Sequence, residues 1–274
     1  MFERLQKFEA YIPQDLNQAK FFMAGVFVVL AFVLFRYFAV NSVWLVFHFL
    51  REKLKIRFFQ NRYLYPKNPD MTQIKFEIKW SLMTTILFSI FGVVMGLLWQ
   101  NGYTQIYLSF NQYGYFYLAL SWFILAVLHD FYFYLTHVLL HHPYFYKKFH
   151  QIHHESLTPT AWASFSFHPV EGLLQAMILP IICLILPLHP VVILTHLTLM
   201  TVTAAINHGG YELYPSWLIQ NPVTKWWLGA THHSQHHRFY KYNYGLFFTW
   251  WDVLFKTQAP SYDQTFQQKT QTES

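Results

Sequence analysis

The run WSLMTTILFSIFGVVMGLLWQ, residues 80–100, contains no charged side chain. About 20 consecutive apolar residues are enough to cross the hydrocarbon core of a bilayer as a helix. Lipid offers no hydrogen-bond partner to the backbone, so a segment that crosses it must be a helix or part of a closed barrel. Only 12% of the chain is charged, whereas a soluble domain has about 25%. We therefore expect an all-α, multi-span integral membrane protein.

Three further apolar regions extend this prediction. The uncharged residues 21–35 end at Arg36, and a second uncharged stretch follows. We expect one span there, with Arg36 reaching towards a membrane interface and residues 43–60 lying partly along the surface. Residues 115–136 are expected to return through the membrane. Residues 171–206 are apolar but interrupted by Pro187 and Pro190, which predicts a helical hairpin.

The distribution of positive charge predicts how the spans are oriented. Residues 51–79 hold eight Lys or Arg side chains against three acidic ones, so this loop is expected to be cytoplasmic. The net charge of +6 is then loop charge rather than a nucleic-acid-binding surface. Counting spans from this loop places residues 137–154 and 208–237 together on the cytoplasmic side. The host membrane would be the bacterial inner membrane or the endoplasmic reticulum.

The same reading divides the chain into three parts. Residues 1–128 would form membrane-anchoring spans and the basic cytoplasmic loop, without a cleaved signal peptide. Residues 129–258 would form a histidine-rich catalytic domain that includes the hairpin 171–206. Residues 259–274 are polar and are expected to be a disordered tail.

Histidines are concentrated in the run HDFYFYLTHVLLHHPYFYKKFHQIHH, residues 129–154, and in THHSQHH, residues 231–237. The run reads as HxxxH followed by HxxHH, and the later segment repeats HxxHH. On a helix, spacings of three and four place side chains on one face. Neutral imidazoles that face a common centre are suited to transition metals. The single cysteine, Cys183, excludes cysteine-based metal sites and intrachain disulfides. The predicted ligands, for two metal ions, are His137, His141, His150, His153, His154, His233, His236 and His237.

Several other residues have weaker assignments. His48, His189 and His196 are expected to be core or interfacial side chains. His129 is a minor candidate ligand, and His168 a candidate ligand or site-lining residue. His142 and His232 do not fit the spacing and are expected to be structural or to support the ligands. Acceptors that orient ligand imidazoles are also needed, and the candidates are Asp130, Glu155, Glu171 and Asp252.

The three histidine motifs on a multi-span chain of this length resemble the fatty acid hydroxylase/sterol desaturase superfamily. The resemblance covers roughly residues 125–256. Within the superfamily, three stretches are similar to the sterol C5-desaturase (lathosterol oxidase) branch. They are HHESLTPTAWASFSFHPVEG, NHGGYELYP and HHSQHHRFYKYNYGLFFTWWD.

This resemblance implies a chemistry that spacing alone does not give. The clustered histidines would hold two iron ions that activate O2 against a lipid C–H bond, for desaturation or hydroxylation. It adds His208 as a ninth ligand, and Ala204 stands where related hydroxylases often have another histidine. The chain has no GxGxxG flavin or nicotinamide fingerprint and no HPGG haem-protein motif. Electrons would therefore come from a separate donor, such as a cytochrome b5 or a ferredoxin with its reductase. The loop 51–79, with Lys147 and Lys148, would offer it a docking surface.

Two other classes of function remain open besides a sterol-type or other lipid oxygenase of this superfamily. A membrane metal-binding or transport protein would also keep histidine clusters. Transport favours ionisable residues inside the spans, whereas these clusters lie at the ends of spans and beyond them. A structural membrane protein would have no need of three matched clusters.

Overall fold

The computed structural model describes residues 15–271, and within that range the regular secondary structure is helical apart from two isolated β-bridges, Tyr63–Tyr211 and Trp227–Phe248. The all-α prediction is therefore confirmed. A π-helix occupies Tyr146–His150, and 3-10 helices occupy Ala161–Phe165 and Ser216–Ile219. The α-helices are α1 Ala19–Asn41, α2 Val43–Glu52, α3 Arg57–Arg62, α4 Met71–Gln100, α5 Gly114–Leu140, α6 Pro143–Phe145, α7 Gln151–His154, α8 Pro169–Ile185, α9 Pro190–His208, α10 Ala230–Phe239, α11 Trp250–Leu254 and α12 Tyr262–Thr270.

Four helical segments among the described residues are long and apolar enough to cross a membrane. They are Ala19–Glu52, which joins α1 and α2, and the helices α4, α5 and α9. Helix α8 is also apolar but has only 17 residues. The connection between α8 and α9 is short and contains Pro187, so the two helices form a hairpin. The prediction of a multi-span membrane protein is confirmed by these segments.

Helix α4 lies at the centre of the helical assembly and packs against α1 and α8. Its buried face carries small polar side chains, among them Ser81, Thr85 and Ser89. Small residues let helix backbones approach closely, and these hydroxyls bond to backbone carbonyls. The Ser81 hydroxyl, for example, donates to the Trp162 carbonyl at 2.8 Å. That bond fixes the 3-10 helix Ala161–Phe165 against the bundle.

The prediction for Arg36 was wrong. Its side chain does not reach an interface but is buried, with 7% of its surface exposed. The reason is that α1 runs on to Asn41 and α2 continues the same segment to Glu52, so Arg36 lies in its middle. Residues 43–52 continue this helical segment, and their position relative to the membrane surface stays a prediction.

The prediction of a disordered tail over residues 259–274 was also wrong. Helix α12 packs on the domain through Tyr262 and Phe266, which are four residues apart and buried against Leu218. The Lys269 ammonium donates to the Tyr63 carbonyl at 2.6 Å. One buried aromatic side chain per helical turn is enough to order this otherwise polar helix. Residues 272–274 of the tail, and residues 1–14 at the other end, lie outside the described residues.

Candidate metal centre

All nine histidines predicted as ligands come together in two adjoining groups. In each group the candidate ligand atoms lie within 4.8 Å of one another. The five-histidine group is His137, His141, His150, His154 and His236. The four-histidine group is His153, His208, His233 and His237.

The two HxxHH motifs are divided between the groups in a reciprocal way. His150 and His154, four residues apart, enter the five-histidine group, whereas His153 enters the other. In the second motif the pair four residues apart, His233 and His237, enters the four-histidine group, and His236 crosses over. Each motif therefore contributes to both groups. The sequence echo between the motifs corresponds to this exchange.

Helix C-termini surround both groups. His137 lies in the last turn of α5 and His208 is the last residue of α9. His154 ends α7, and His237 lies in the last turn of α10. The C-terminal end of a helix carries partial negative charge, so four such ends favour bound cations between them.

The segment between α5 and α7 is not one regular α-helix. Pro143 begins a new helical turn, and the chain then passes through the π-helix Tyr146–His150. Lys147 and Lys148 are exposed, but His150 is buried. Single π-turns inside helices are frequent at functional sites. Here the π-helix ends at His150, the first histidine of the first HxxHH motif.

Within each group the Nε2 atoms face one another at short distances. In the five-histidine group, Nε2 of His141 lies 3.0 Å from that of His150 and 3.1 Å from that of His154. Nε2 of His236 lies 3.1 Å from that of His154. In the four-histidine group, Nε2 of His233 lies 2.9 Å from that of His208 and 3.1 Å from that of His237.

The other ring nitrogens of four ligands are hydrogen-bonded to backbone carbonyls, which fix the tautomer, and that of a fifth lies beside a carboxylate. Nδ1 of His137 donates to the Tyr244 carbonyl at 2.9 Å, and Nδ1 of His236 to the Tyr242 carbonyl at 2.7 Å. A carbonyl can only accept, so the proton of each ring is on Nδ1 and Nε2 carries a lone pair. The other three Nδ1 contacts are His208 to the Ala204 carbonyl at 2.8 Å, His153 to the Ser166 carbonyl at 3.3 Å, and His150 to the Glu171 carboxylate at 2.9 Å.

These tautomers are compatible with bound metal ions. The lone pairs of His153 and His208 face each other at 3.4 Å, and Nε2 of His150 lies 3.2 Å from Nε2 of His154 in the other group. Facing lone pairs repel unless a cation lies between them. Ligand separations of about 3.0–3.4 Å follow from metal–nitrogen bonds of about 2.1 Å in tetrahedral or octahedral arrangements. The observed separations agree, so both groups fit a transition metal.

Burial keeps the imidazoles outside the spans in the form that metals require. It lowers the pKa of His153, His154 and His233 well below its ordinary value, and the neighbouring histidines lower it further. The same causes lower the pKa of His150, His236 and His237. These rings are therefore neutral at physiological pH and free to bind a metal.

Of the four acidic residues considered as supporting groups, Glu171 contacts a ligand directly, through His150. Asp130 instead accepts from the backbone amides of Leu246 and Phe247, at 3.0 and 2.7 Å. Asp252 accepts from the amides of Tyr244 and Gly245, both at 2.8 Å. The two aspartates thus shape the loop whose Tyr244 carbonyl orients His137. Glu155 is exposed.

The remaining histidines join neither group. His129 is bonded to His196 at 2.8 Å in a buried pair, and His232 lies 3.4 Å from Asp252. His48 stacks on Trp44. The last three histidines are His142, His168 and His189, and they share a role that sequence reasoning missed. Each precedes a proline, and its side chain accepts a hydrogen bond from the backbone amide two residues further on, which caps the N-terminus of a helix. The repeated His-Pro dipeptide could have indicated this role.

An apolar cavity of about 410 Å³ lies between α1, α4, α8 and α9. A smaller void of about 30 Å³ lies against the four-histidine group and His137. Both spaces are bordered by the same five residues, so they adjoin each other: Phe133, Ser164, Phe167, Ala204 and Leu246. The void has room for about one or two small molecules such as water.

Comparison with known proteins agrees with this geometry. The fatty acid hydroxylase family model matches residues 122–257. The chain is 33% identical to lathosterol oxidase of Homo sapiens over 192 residues, 69% of this chain and 62% of that protein. It is 35% identical to Delta(7)-sterol 5(6)-desaturase of Eremothecium gossypii over 184 residues, 66% of this chain and 50% of that protein.

A third relative covers nearly the whole chain. Identity to Delta(7)-sterol 5(6)-desaturase of Candida glabrata is 30% over 271 residues, 98% of this chain and 70% of that protein. The matches span 62% and 50% of the first two relatives, so this chain covers only part of their length. No solved structure matches the chain. On this evidence the chain belongs to the fatty acid hydroxylase family, and within it is related to the sterol desaturases.

Proposed function

We propose that this chain is a membrane-bound, non-haem di-iron oxygenase that desaturates or hydroxylates a C–H bond of a sterol-like lipid. The observation that carries the proposal is that two histidine groups adjoin an apolar cavity through a small void. The nine histidines would hold two iron ions, since imidazole is a suitable iron ligand and the separations fit a transition metal. Iron bound there would supply O2 activation.

The chain's own residues would position the reacting lipid and keep water away. The cavity walls are mostly apolar, and Phe133, Phe167 and Leu246 lie where the cavity meets the void. A C–H bond held there is close to the histidines but shielded from solvent. Glu171 would hold His150 in one orientation by accepting from its Nδ1–H, as carboxylates commonly do for metal-binding histidines.

Lipid would enter the cavity sideways from the bilayer. Val28, Phe32 and Leu194 line the cavity and are also exposed on the outside of the helices, at 69%, 48% and 49%. Exposed apolar side chains on a spanning helix face lipid tails. A hydrophobic substrate could thus reach the histidine groups without crossing water.

Desaturation and hydroxylation each consume O2 together with two electrons and two protons from outside the lipid. In desaturation the lipid loses two hydrogen atoms and two waters form, whereas in hydroxylation the lipid gains one oxygen atom and one water forms. The relatives named as sterol desaturases favour desaturation. A fatty acid or other lipid hydroxylase is the alternative, and the mass of the product separates the two.

The electrons would come from a separate carrier protein, such as a cytochrome b5 or a ferredoxin with its reductase. The basic loop lies on the same side as the histidines, because the Leu64 amide donates to the Gly210 carbonyl at 2.9 Å, two residues after His208. Arg62 is buried and donates to two backbone carbonyls, so it belongs to the fold. The exposed cations would form the docking surface: Lys53, Lys55, Arg57, Lys147 and Lys148. By the positive-inside rule this side would be cytoplasmic.

The proposal is tested with purified, iron-reconstituted protein in lipid nanodiscs, supplied with a reductant, a carrier protein and a Δ7-sterol. We expect sterol-dependent O2 uptake and a product lighter by two hydrogen atoms. A product heavier by one oxygen atom would support the hydroxylase alternative. Bound metal without any O2 uptake, together with metal flux in vesicles, would instead indicate a transport protein.

A further inference from the structure

The large cavity is apolar except for four side chains, Arg36, His129, Ser164 and Gln175. Two of them are already engaged within the protein. His129 is bonded to His196, and the Ser164 hydroxyl lies 3.2 Å from the Asn41 amide nitrogen. Arg36 differs from these, since it is charged and buried.

Arg36 has no polar partner within residues 15–271. Its side chain is 93% buried, because 7% of its surface is exposed, and its Nε has no hydrogen-bond partner. No carboxylate of the described chain pairs with it, and its guanidinium carbon lies over the Phe32 ring, 5.8 Å from the ring centre. A buried cation without a partner is costly. Such a group is retained where a ligand supplies the missing acceptor.

The helix places Arg36 near the end of the cavity that adjoins the histidines. The next residue, Tyr37, donates to the Trp162 carbonyl at 2.7 Å, and Asn41 is bonded to Ser164. Ser164 also borders the void against the four-histidine group. Arg36 and Asn41 are five residues apart, about 7.5 Å along the helix axis. The other cavity-lining residues of α1 lie towards its N-terminus, at the apolar end.

We propose that Arg36 donates a hydrogen bond to a hydroxyl oxygen of the lipid that occupies the cavity. This inference rests on the proposed function and makes its substrate class more specific. The substrate has an apolar body that fills the cavity and a single hydroxyl group only a few carbons from the C–H bond that is oxidised. The hydroxyl end lies towards the histidine groups, and the hydrocarbon end points along α1 towards Val28.

The test measures lipid binding, so it does not depend on turnover. The full chain, loaded with iron in nanodiscs, binds a fluorescent sterol that is displaced by cholestanol, by cholestane or by palmitate. Cholestanol and cholestane differ only in the ring hydroxyl, and palmitate offers a carboxylate. The variants are Arg36→Met and Arg36→Lys, with Lys20→Met as the control, because Lys20 is an exposed cation on the same helix.

We expect the wild type to bind cholestanol about tenfold more tightly than cholestane, as one hydrogen bond to a charged donor provides. Arg36→Met should reduce this ratio to about one by weakening cholestanol binding alone. Arg36→Lys should show a ratio between one and the wild-type value, and Lys20→Met should show the wild-type ratio. Arg36→Met should also fold, because it removes an unpaired buried charge. If Arg36→Met does not fold, Arg36→Lys is the deciding variant. Its ratio of cholestanol affinity to cholestane affinity must then fall below the wild-type ratio.

A ratio near one in the wild type, or an unchanged ratio in Arg36→Met, would overturn the inference. So would palmitate binding that depends on Arg36 when cholestanol binding does not, because the ligand oxygen would then belong to a carboxylate. Iron content and O2 uptake are measured on the same preparations. If iron content and O2 uptake are normal but cholestanol binds no more tightly than cholestane, the role of Arg36 is refuted and the proposed function is not. Discrimination without iron or O2 uptake would refute the proposed function, with Arg36 remaining a lipid-binding residue.

Discussion

Replacing Glu171 by Gln should weaken metal binding at one histidine group and leave the other unchanged. Oε1 of Glu171 lies 2.9 Å from Nδ1 of His150, and both side chains are buried. The amide of Gln keeps an oxygen acceptor in this place, and its NH2 replaces Oε2, which has no partner. A metal ion on His150 would keep the buried Glu171 carboxyl ionised, and the substitution then removes its negative charge with little change of shape.

The size of the effect follows from the loss of that charge. Interactions with a charged partner are worth about 1.5–3 kcal/mol, and those between neutral groups about 0.5–1.5 kcal/mol. The difference of about 1–1.5 kcal/mol makes His150 a weaker ligand and corresponds to a roughly tenfold loss of metal affinity. The loss should fall on the five-histidine group, because the polar contact of Glu171 is with His150, which belongs to that group.

The assay is a titration of the two metal sites with a competing chelator on detergent-solubilised protein. Glu155→Gln is the matched control, since Glu155 follows the same HxxHH motif directly but is exposed. It should titrate as the wild type does. Equal weakening of both sites in Glu171→Gln would point to a general loss of structure. Unchanged affinity at both sites would refute the reasoning that Glu171 supports His150.

Three further predictions follow from the arrangement of the histidines. His153→Ala should lower metal content and abolish lipid oxidation. His196→Ala should keep its metal but lose about 1–3 kcal/mol of stability, because His129 is left without its hydrogen-bond partner. Metal analysis and thermal unfolding of both variants test these expectations. Ala204→His should make metal binding at the four-histidine group more resistant to chelators. It should also slow lipid oxidation, because the new ring fills the space between the void and the cavity. Unchanged metal affinity would contradict this prediction. Removing metal should lower the unfolding temperature. The free energy of unfolding should fall by about 2.7 kcal/mol for each site, if the free metal concentration had been 100 times the dissociation constant of that site. Equal unfolding temperatures with and without metal would show that the sites are not coupled to folding.

The sequence alone identified all nine histidines that converge, but it did not show how they are divided. Spacing of three and four residues places His150, His153 and His154 on one helical face, and it does not show that they serve different groups. In the structure His153 joins His208 of α9 and His233 of α10, whereas His150 and His154 join His137 of α5. That division depends on the packing of α5, α7, α9 and α10, and no local pattern encodes it.

The acceptors that orient the ligands were only partly predictable. Glu171 was one of four acidic candidates, and nothing in the spacing distinguished it from Asp130. Most of the acceptors are backbone carbonyls, such as those of Tyr242 and Tyr244, which every residue possesses. Their positions depend on the loop that Asp130 and Asp252 hold in place through its amides. The burial of Arg36 was also hidden, because a single arginine between two apolar runs is usually drawn to an interface.

The most direct test of the central claim is the number of metal ions bound to each chain after iron reconstitution. It is measured by elemental analysis on the wild type, on His154→Ala from the five-histidine group and on His233→Ala from the four-histidine group. Two histidine groups predict two irons per chain in the wild type and about one in each variant. A wild-type chain that binds a single iron, or none, would contradict the assignment of two metal sites.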